Sequence, residues 1–280
     1  MPRKRVIKKE DADLVIGEIM GGLGNQLFII FTTIAYSLKH KMNFSIINIE
    51  RKRKSYFDNN IYKNLPLYPQ INYDKIINKS NKLSNMKRYR EPNFFYQEIP
   101  KLDKIILYGY YQSPKYFDDY KNIIIKELKL LDDREFLKYD GFLHFRIGDY
   151  KNIECHPVCD INYYIKCFED IYKKDNKELN FVYYFEEENK LEVEDKVNIL
   201  REKFKRFSFT KINTEMEDYK QMLSMTTMKY CVIANSSFSW WGAYLNDRKD
   251  KVIYLPKTWF VGSLGHYDTS ELIMENWNKI

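Results

Sequence analysis

The stretch that most constrains this chain is its first regular one. "LVIGEIM" (14–20) reads as a short strand and "GGLGNQ" (21–26) as a glycine-rich turn; "LFIIFTTIAYSLKHK" (27–41) then reads as a buried helix and "NFSIINI" (43–49) as a second strand. A strand, a tight turn, a long apolar helix and another strand describe a βαβ unit, which commits the chain to a parallel sheet with helices packed against it. The glycine turn falls at the carboxyl end of the first strand, where open parallel sheets bind their ligands.

Between about residues 50 and 103 the pattern dissolves into Lys, Asn, Tyr and Pro with short helical fragments, and no element is assigned there. It resumes with "KIILYGYYQ" (104–112) as a strand and "SPKYFDDYKNIIIKELKL" (113–130) as one helix, with Ser113 as N-cap and Pro114 at the first helical position. The second half alternates cleanly. The strands "GFLHFRI", "NFVYYF", "FSF", "YCVIAN" and "KVIYL" are separated by helical stretches near 161–174, from about 189, near 215–228 and at "SFSWWGAYL". In the first of these helices Ile161, Tyr164, Ile165, Phe168, Ile171 and Tyr172 recur at helical spacing and form one buried face. The expectation is an α/β chain of two Rossmann-like lobes, 14–138 and 139–280, preceded by a basic tail, 1–13.

Composition narrows the function classes. With 44% hydrophobic and 30% charged residues, the 280-residue chain is a folded globular protein rather than a disordered one. The net charge of +7 is scattered in clusters such as "RKRK" (51–54) and "MKRYR" (86–90), and no nucleic-acid-binding motif accompanies it, so no nucleic-acid partner is expected. The basic N-terminus lacks the apolar segment of a secretory signal, and the longest apolar run, 27–38, is too short to span a bilayer. A cytoplasmic protein is expected, with the basic tail suited to peripheral contact with anionic lipid. Four cysteines do not make a disulfide scaffold, and "CHPVCDINYYIKC" (155–167) around His156 matches no common zinc spacing, so no metal is expected.

Three stretches at strand ends carry candidate chemistry. In the first, Gly21, Gly22 and Gly24 allow backbone N–H groups to approach a ligand, and Asn25 and Gln26 add amide donors. The third glycine of a dinucleotide fingerprint is replaced by Leu27, which disfavours an oxidoreductase and leaves a merely structural turn as the alternative. In "HFRIGDY" (144–150), Arg146 offers a planar fork suited to phosphate; the alternative is a structural ion pair with Asp149. His144 lies two residues back on the same strand face and is a further catalytic candidate, with a packed core histidine as the alternative. In "NSSFSWW" (235–241), Asn235, Ser236, Ser237, Phe238 and Ser239 open a helix whose N-terminus favours a diphosphate, with a simple N-cap as the alternative. Trp240 and Trp241 are expected to pack.

Taken in order, "GGLGNQLF", "GYYQSPKYF" (109–117), "HFRIGDY" followed by "HPVCDINYY" (156–164), and "VIANSSFSWWGAYLN" (232–246) resemble the α-1,2-fucosyltransferases of glycosyltransferase family 11. The resemblance implies a GT-B-like fold, two Rossmann-like lobes with parallel sheets facing a central cleft. The acceptor would lie on the N-terminal lobe and the nucleotide-sugar donor on the C-terminal lobe. It implies metal-independent, inverting transfer of L-fucose from GDP-β-L-fucose to the 2-hydroxyl of a galactose-terminated glycan. Arg146 would meet the β-phosphate, the glycine loop and residues 235–239 would help hold the donor, and Asn25 would lie close to the reacting centre, as in the wider fucosyltransferase superfamily. Asp149 is the nearest candidate to take the acceptor proton, unless it only orients Arg146. Two departures stand out: Ile147 where the family usually has a second basic residue, and "YYFEEENK" (183–190) where it usually has an "SDD"-like turn. They leave open a transferase for another nucleotide-deoxysugar and a catalytically silent glycan- or nucleotide-binding homologue.

Overall fold

The computed structural model describes residues 13–48, 62–66 and 86–280; residues 1–12 of the basic tail and the "RKRK" cluster lie outside the described residues. The chain divides into two compact units: the described part of Met1–Asp132 together with Asp268–Leu272, and Asp133–Tyr267 together with Ile273–Ile280. Both are parallel α/β assemblies of Rossmann-like type, the make-up of a GT-B-like chain.

The first unit contains β1 (Leu14–Ile19), α1 (Leu23–His40), β2 (Asn43–Asn48), β3 (Lys87–Arg90), β4 (Lys104–Tyr108) and α2 (Lys121–Leu128), with sheet order β2-β1-β4-β3, all parallel. The anticipated βαβ unit is β1-α1-β2. Helix α1 is apolar on most of its circumference and buried accordingly, and it ends where Lys41 turns left-handed after the basic residues Lys39 and His40. It lies so close to β1 at Gly17 that a Cβ there would collide with Thr33 Oγ1.

The stretch after β4 departs from the single helix expected of it. Ser113 does cap, its Oγ accepting from Lys115 N–H at 3.3 Å with Pro114 next to it, but two 3₁₀ turns, Pro114–Tyr116 and Asp118–Tyr120, precede α2. The break is at Phe117, whose φ of −145° is not helical. Its ring is buried against Phe28 and Phe31 of α1, at centroid distances of 5.9 and 5.5 Å, and this packing outweighs local helix propensity. Asp268–Leu272 completes the unit: Glu271 accepts from Tyr96 N–H at 2.6 Å and pairs with Lys115 at 2.8 Å.

The second unit runs β5 (Gly141–His144), α3 (Ile161–Lys174), β6 (Leu179–Tyr184), α4 (Lys190–Lys203), β7 (Phe207–Lys211), α5 (Asp218–Met225), β8 (Tyr230–Val232), α6 (Ser237–Tyr244), β9 (Val252–Leu255) and β10 (Trp277–Lys279). Its sheet order is β10-β9-β8-β5-β6-β7, all parallel, so the winding reverses between β5 and β8. This is the doubly wound order, and the reversal makes the carboxyl ends of β5 and β8 the expected place for a ligand. Helix α3 is capped by Asp160 and buries Tyr164, Phe168 and Ile171 as its periodicity requires. Phe168 meets the rings of Phe181, Phe204, Phe207 and Phe209 in the centre of the core. Trp240 and Trp241 are fully buried, packed rather than presented. Strand β5 stops at His144, earlier than its apolar run suggested, which puts Arg146 in the loop and ends the strand alternation that would have given it His144's face. Among the described residues no helix is long and apolar enough to cross a membrane.

Candidate active site

In the second unit the site is built by strand register. His144 pairs with Tyr184 at the ends of β5 and β6, so Arg146 and Glu186 each lie two residues farther on, side by side. Arg146 donates from Nη1 to Glu186 Oε1 and from Nη2 to Asp149 Oδ1, a carboxylate on each terminal nitrogen. Its guanidinium lies 4.9 Å from the centroid of the Tyr150 ring, and its side chain keeps 20% exposure. Burial works against the guanidinium's charge, but Glu186 and Asp149 outweigh it and hold the group protonated. A Cβ on Gly148 would collide with Glu186 Oε2, so the glycine is what lets this carboxylate in. The expected Arg146–Asp149 pair is therefore present, joined by a second carboxylate.

Across the switch point, Ser236 caps α6, its Oγ accepting from Phe238 N–H at 3.4 Å. Tyr150 ties the two loops together by donating its hydroxyl to the Asn235 carbonyl at 3.1 Å. The Asn235 side chain, expected to help hold a donor, is turned inward instead. It is 1% exposed, its Nδ2 donates to the carbonyls of Pro157 (2.9 Å) and Trp259 (3.2 Å), and its Oδ1 meets Cys159 Sγ at 3.4 Å. Ser239 is likewise buried, its hydroxyl on the Ser236 carbonyl at 3.4 Å. Ser237 and Phe238 are half-buried and reach the surface, so what this helix start offers is backbone N–H and dipole rather than a row of hydroxyls.

His144 is 6% exposed, with its ring 5.6 Å from that of Phe238 and its carbonyl accepting from Tyr164 Oη at 2.8 Å. Burial, helped by the charge of Arg146, pulls the imidazole down to about 3, and Nδ1 has no hydrogen-bond partner among the described residues. At neutral pH this ring is uncharged: it can give or take one hydrogen bond but brings no positive charge to a phosphate.

In the first unit the equivalent reversal is between β1 and β4, which sets the glycine loop beside residues 109–112. Gly21 has φ +71°, and Gln26, buried at the start of α1, donates Nε2 to the Gly21 carbonyl at 2.9 Å; Gln26 thus closes the loop rather than presenting its amide. Gly22 is the N-cap of α1, which no side chain caps, and Gly24 lies in its buried first turn. Asn25 is half-buried and accepts at Oδ1 from Gln112 Nε2 at 2.7 Å. Next to this pair, Glu91 accepts at Oε2 from the N–H groups of Tyr110 (2.8 Å) and Tyr111 (2.9 Å), and burial pushes its carboxyl up to about 7 against the opposing pull of those two donors.

Glu91 lies outside every stretch the sequence singles out, whereas Gln112 lies in "GYYQSPKYF" and Glu186 in "YYFEEENK"; none of the three is recognisable there as a site residue, because each becomes a neighbour only through the fold: Arg90 pairs with Tyr108, which puts Glu91 against Gly109. Cys155, Cys159, Cys167 and Cys231 are free thiols, and among the described residues no three His, Cys, Asp or Glu side chains converge as metal ligands would.

Residues 84–280 match the model of glycosyl transferase family 11. An alpha-1,2-colitosyltransferase of Escherichia coli is 27% identical over 285 residues, covering 88% of this chain and 92% of that protein. The O-antigen biosynthesis glycosyltransferase WbnK of Escherichia coli is 24% identical over 314 residues, covering 92% and 98%.

Proposed function

From the premise that the chain belongs to glycosyl transferase family 11, we propose that it is an inverting glycosyltransferase that moves L-fucose from GDP-β-L-fucose to the 2-hydroxyl of a galactose-terminated glycan without a metal. The observation that carries this reading is the position of Arg146, in the loop beyond β5 at the switch point, with the start of α6 beyond the neighbouring β8. As the acceptor hydroxyl releases its proton to water and its oxygen bonds to the anomeric carbon, the bond from that carbon to the β-phosphate oxygen breaks and negative charge gathers on the departing diphosphate. Arg146 and the α6 N-terminus supply positive potential where that charge develops, and Asp149 orients the guanidinium. For a phosphate to engage Nη1, Glu186 must give it up. Under this reading the glycine loop of the first unit helps hold the donor and Asn25 serves the reacting centre. The cytoplasm, a nucleotide-sugar donor and a glycan acceptor are the setting this reading assumes.

A second reading differs only in the sugar and is favoured by the name of the colitosyltransferase relative. Colitose is fucose lacking one ring hydroxyl. A site that hydrogen-bonds that hydroxyl rejects the analogue without it by about 10⁴-fold, so the two donors separate cleanly.

Thermal-shift titration with GDP, GDP-fucose, the corresponding colitose donor, UDP and dTDP tests both, because a ligand selective for the native state stabilises it by about 2.7 kcal/mol at a hundredfold its Kd. GDP-selective stabilisation that disappears in Arg146→Ala, with transfer to a galactoside, is the expected result. Stabilisation by UDP or dTDP instead keeps a transferase and overturns the fucose assignment. GDP binding with neither transfer nor donor hydrolysis means a silent binding homologue.

A further inference from the structure

Asn25 sits in the first turn of α1, just past the glycine turn, with its carboxamide half-engaged. Gln112 Nε2 donates to Oδ1 at 2.7 Å, which fixes which end of the amide points inward. Nδ2 lies against Gly21, where a Cβ would come within 2.8 Å of it, and no acceptor for it exists among the described residues. The group presented to a ligand is therefore a donor, able to hold a sugar hydroxyl or phosphate oxygen and unable to take a proton from one.

That orientation depends on Gln112 being where it is, and Gln112 follows an unusual turn. Tyr111 adopts φ +50°, a left-handed conformation that costs a bulky residue free energy and persists only when its surroundings enforce it. The enforcing group is Glu91. One oxygen, Oε2, receives the consecutive N–H groups of Tyr110 and Tyr111, and the side chain fits because Gly109 has no Cβ to collide with it. The Tyr111 ring, fully buried with its hydroxyl 3.3 Å from the Tyr89 carbonyl, anchors the turn on its other side.

We propose that Glu91 is a positioning residue of the transfer reaction: by clamping the Tyr110–Tyr111 turn it places Gln112, and Gln112 orients the Asn25 carboxamide so that Nδ2 donates to a substrate oxygen. This rests on the transferase reading above and adds to it a residue outside every motif that resembles the family. Glu91 needs no contact with substrate. Its function is geometric, and a displaced donor near a reacting centre costs on the order of 10²-fold in rate.

The test compares Glu91→Ala, Glu91→Gln and Gln112→Glu with the wild type in steady-state transfer, in binding of GDP and in thermal stability. Glu91→Ala is expected to lower kcat by roughly 10- to 100-fold while GDP, bound by the second unit, keeps its affinity within about twofold. Glu91→Gln keeps an amide oxygen for the same two N–H donors, so it should recover most of that loss. Gln112→Glu replaces the donor with an acceptor, which draws Asn25 Nδ2 inward and turns Oδ1 outward; it should lose kcat like Glu91→Ala and covers the case in which that variant fails to fold. Wild-type kcat in both Glu91→Ala and Gln112→Glu overturns the proposal and leaves the transferase reading intact. A Glu91→Gln variant as impaired as Glu91→Ala also overturns it, because accepting the two N–H groups would then not be what the side chain supplies. A wild type that binds GDP and transfers no sugar removes the transferase reading, and the proposal with it.

Discussion

Arg146 and Glu186 stand the same number of residues beyond the paired His144 and Tyr184, so the parallel register itself delivers a carboxylate to the guanidinium. A partly exposed pair of this kind contributes at most about 1 kcal/mol. Phosphate competing for the same nitrogen must displace it. Glu186→Gln is therefore expected to bind GDP two- to fivefold more tightly, by calorimetric titration at fixed ionic strength. Weaker binding would mean that Glu186 contacts the nucleotide directly.

Arg146→Ala should reduce transfer by about 10²–10³-fold, the usual cost of losing an electrostatic contact to developing charge, while denaturant unfolding shows the fold retained. Arg146→Lys should recover little, because a point charge cannot span two oxygens as the fork does. A melted Arg146→Ala would instead make the triad with Asp149 and Glu186 a structural brace.

Asn235 separates support from binding. Replacing it with Ala strips the part-buried carbonyl of Pro157 and the buried carbonyl of Trp259 of their donor and should cost about 2–3 kcal/mol in urea unfolding. Ser237→Ala, on the half-buried start of the same helix, should stay within about 0.5 kcal/mol of wild type.

His144 and Glu91 shift stability with pH in the same acid-to-neutral range and in opposite senses. The native imidazole is held near 3, so between that value and its ordinary 6.5 the unfolded chain binds more protons than the native one, and stability falls as the pH is lowered through this window. His144→Asn should flatten that part of the profile. The Glu91 carboxyl is raised from 4.5 to about 7, so there the native state binds more protons and its contribution is lost as pH rises across 4.5 to 7. Glu91→Gln should remove that opposing slope. Unfolding free energies measured from pH 3.5 to 8 in wild type and both variants resolve the two contributions.

Much of the fold was legible because its buried strands and helices carry their burial in their composition. The βαβ opening and the α3 stripe are of this kind. What escaped were edge strands: β3 is "KRYR", largely exposed, with Arg88 paired to Glu18 and lying 3.8 Å from the centroid of the Tyr108 ring, and β10 is "WNK" at the far edge of its sheet. Edge strands are short and charged because that protects an open sheet margin, and those qualities erase the apolar alternation by which strands are recognised. The 113–130 helix was misjudged at Phe117 for a related reason, since its burial partners Phe28 and Phe31 are remote in sequence. At the site, Arg146 could be singled out by residue type and position after an apolar run. The inward turn of Asn235 could not, because Pro157 and Trp259 reach it only through the fold.

The path of the chain past Tyr267 ties the maturation of the two units together. Asp268–Leu272 completes the first unit through Glu271, and the chain then returns to lay β10 beside β9 of the second. On the ribosome, residues 268–280 are the last of these to emerge, so neither unit can finish folding during synthesis of the preceding residues. A transcript cut short before that point would yield a product with two unfinished margins, both open to proteolytic surveillance, rather than one mature half and one defective one.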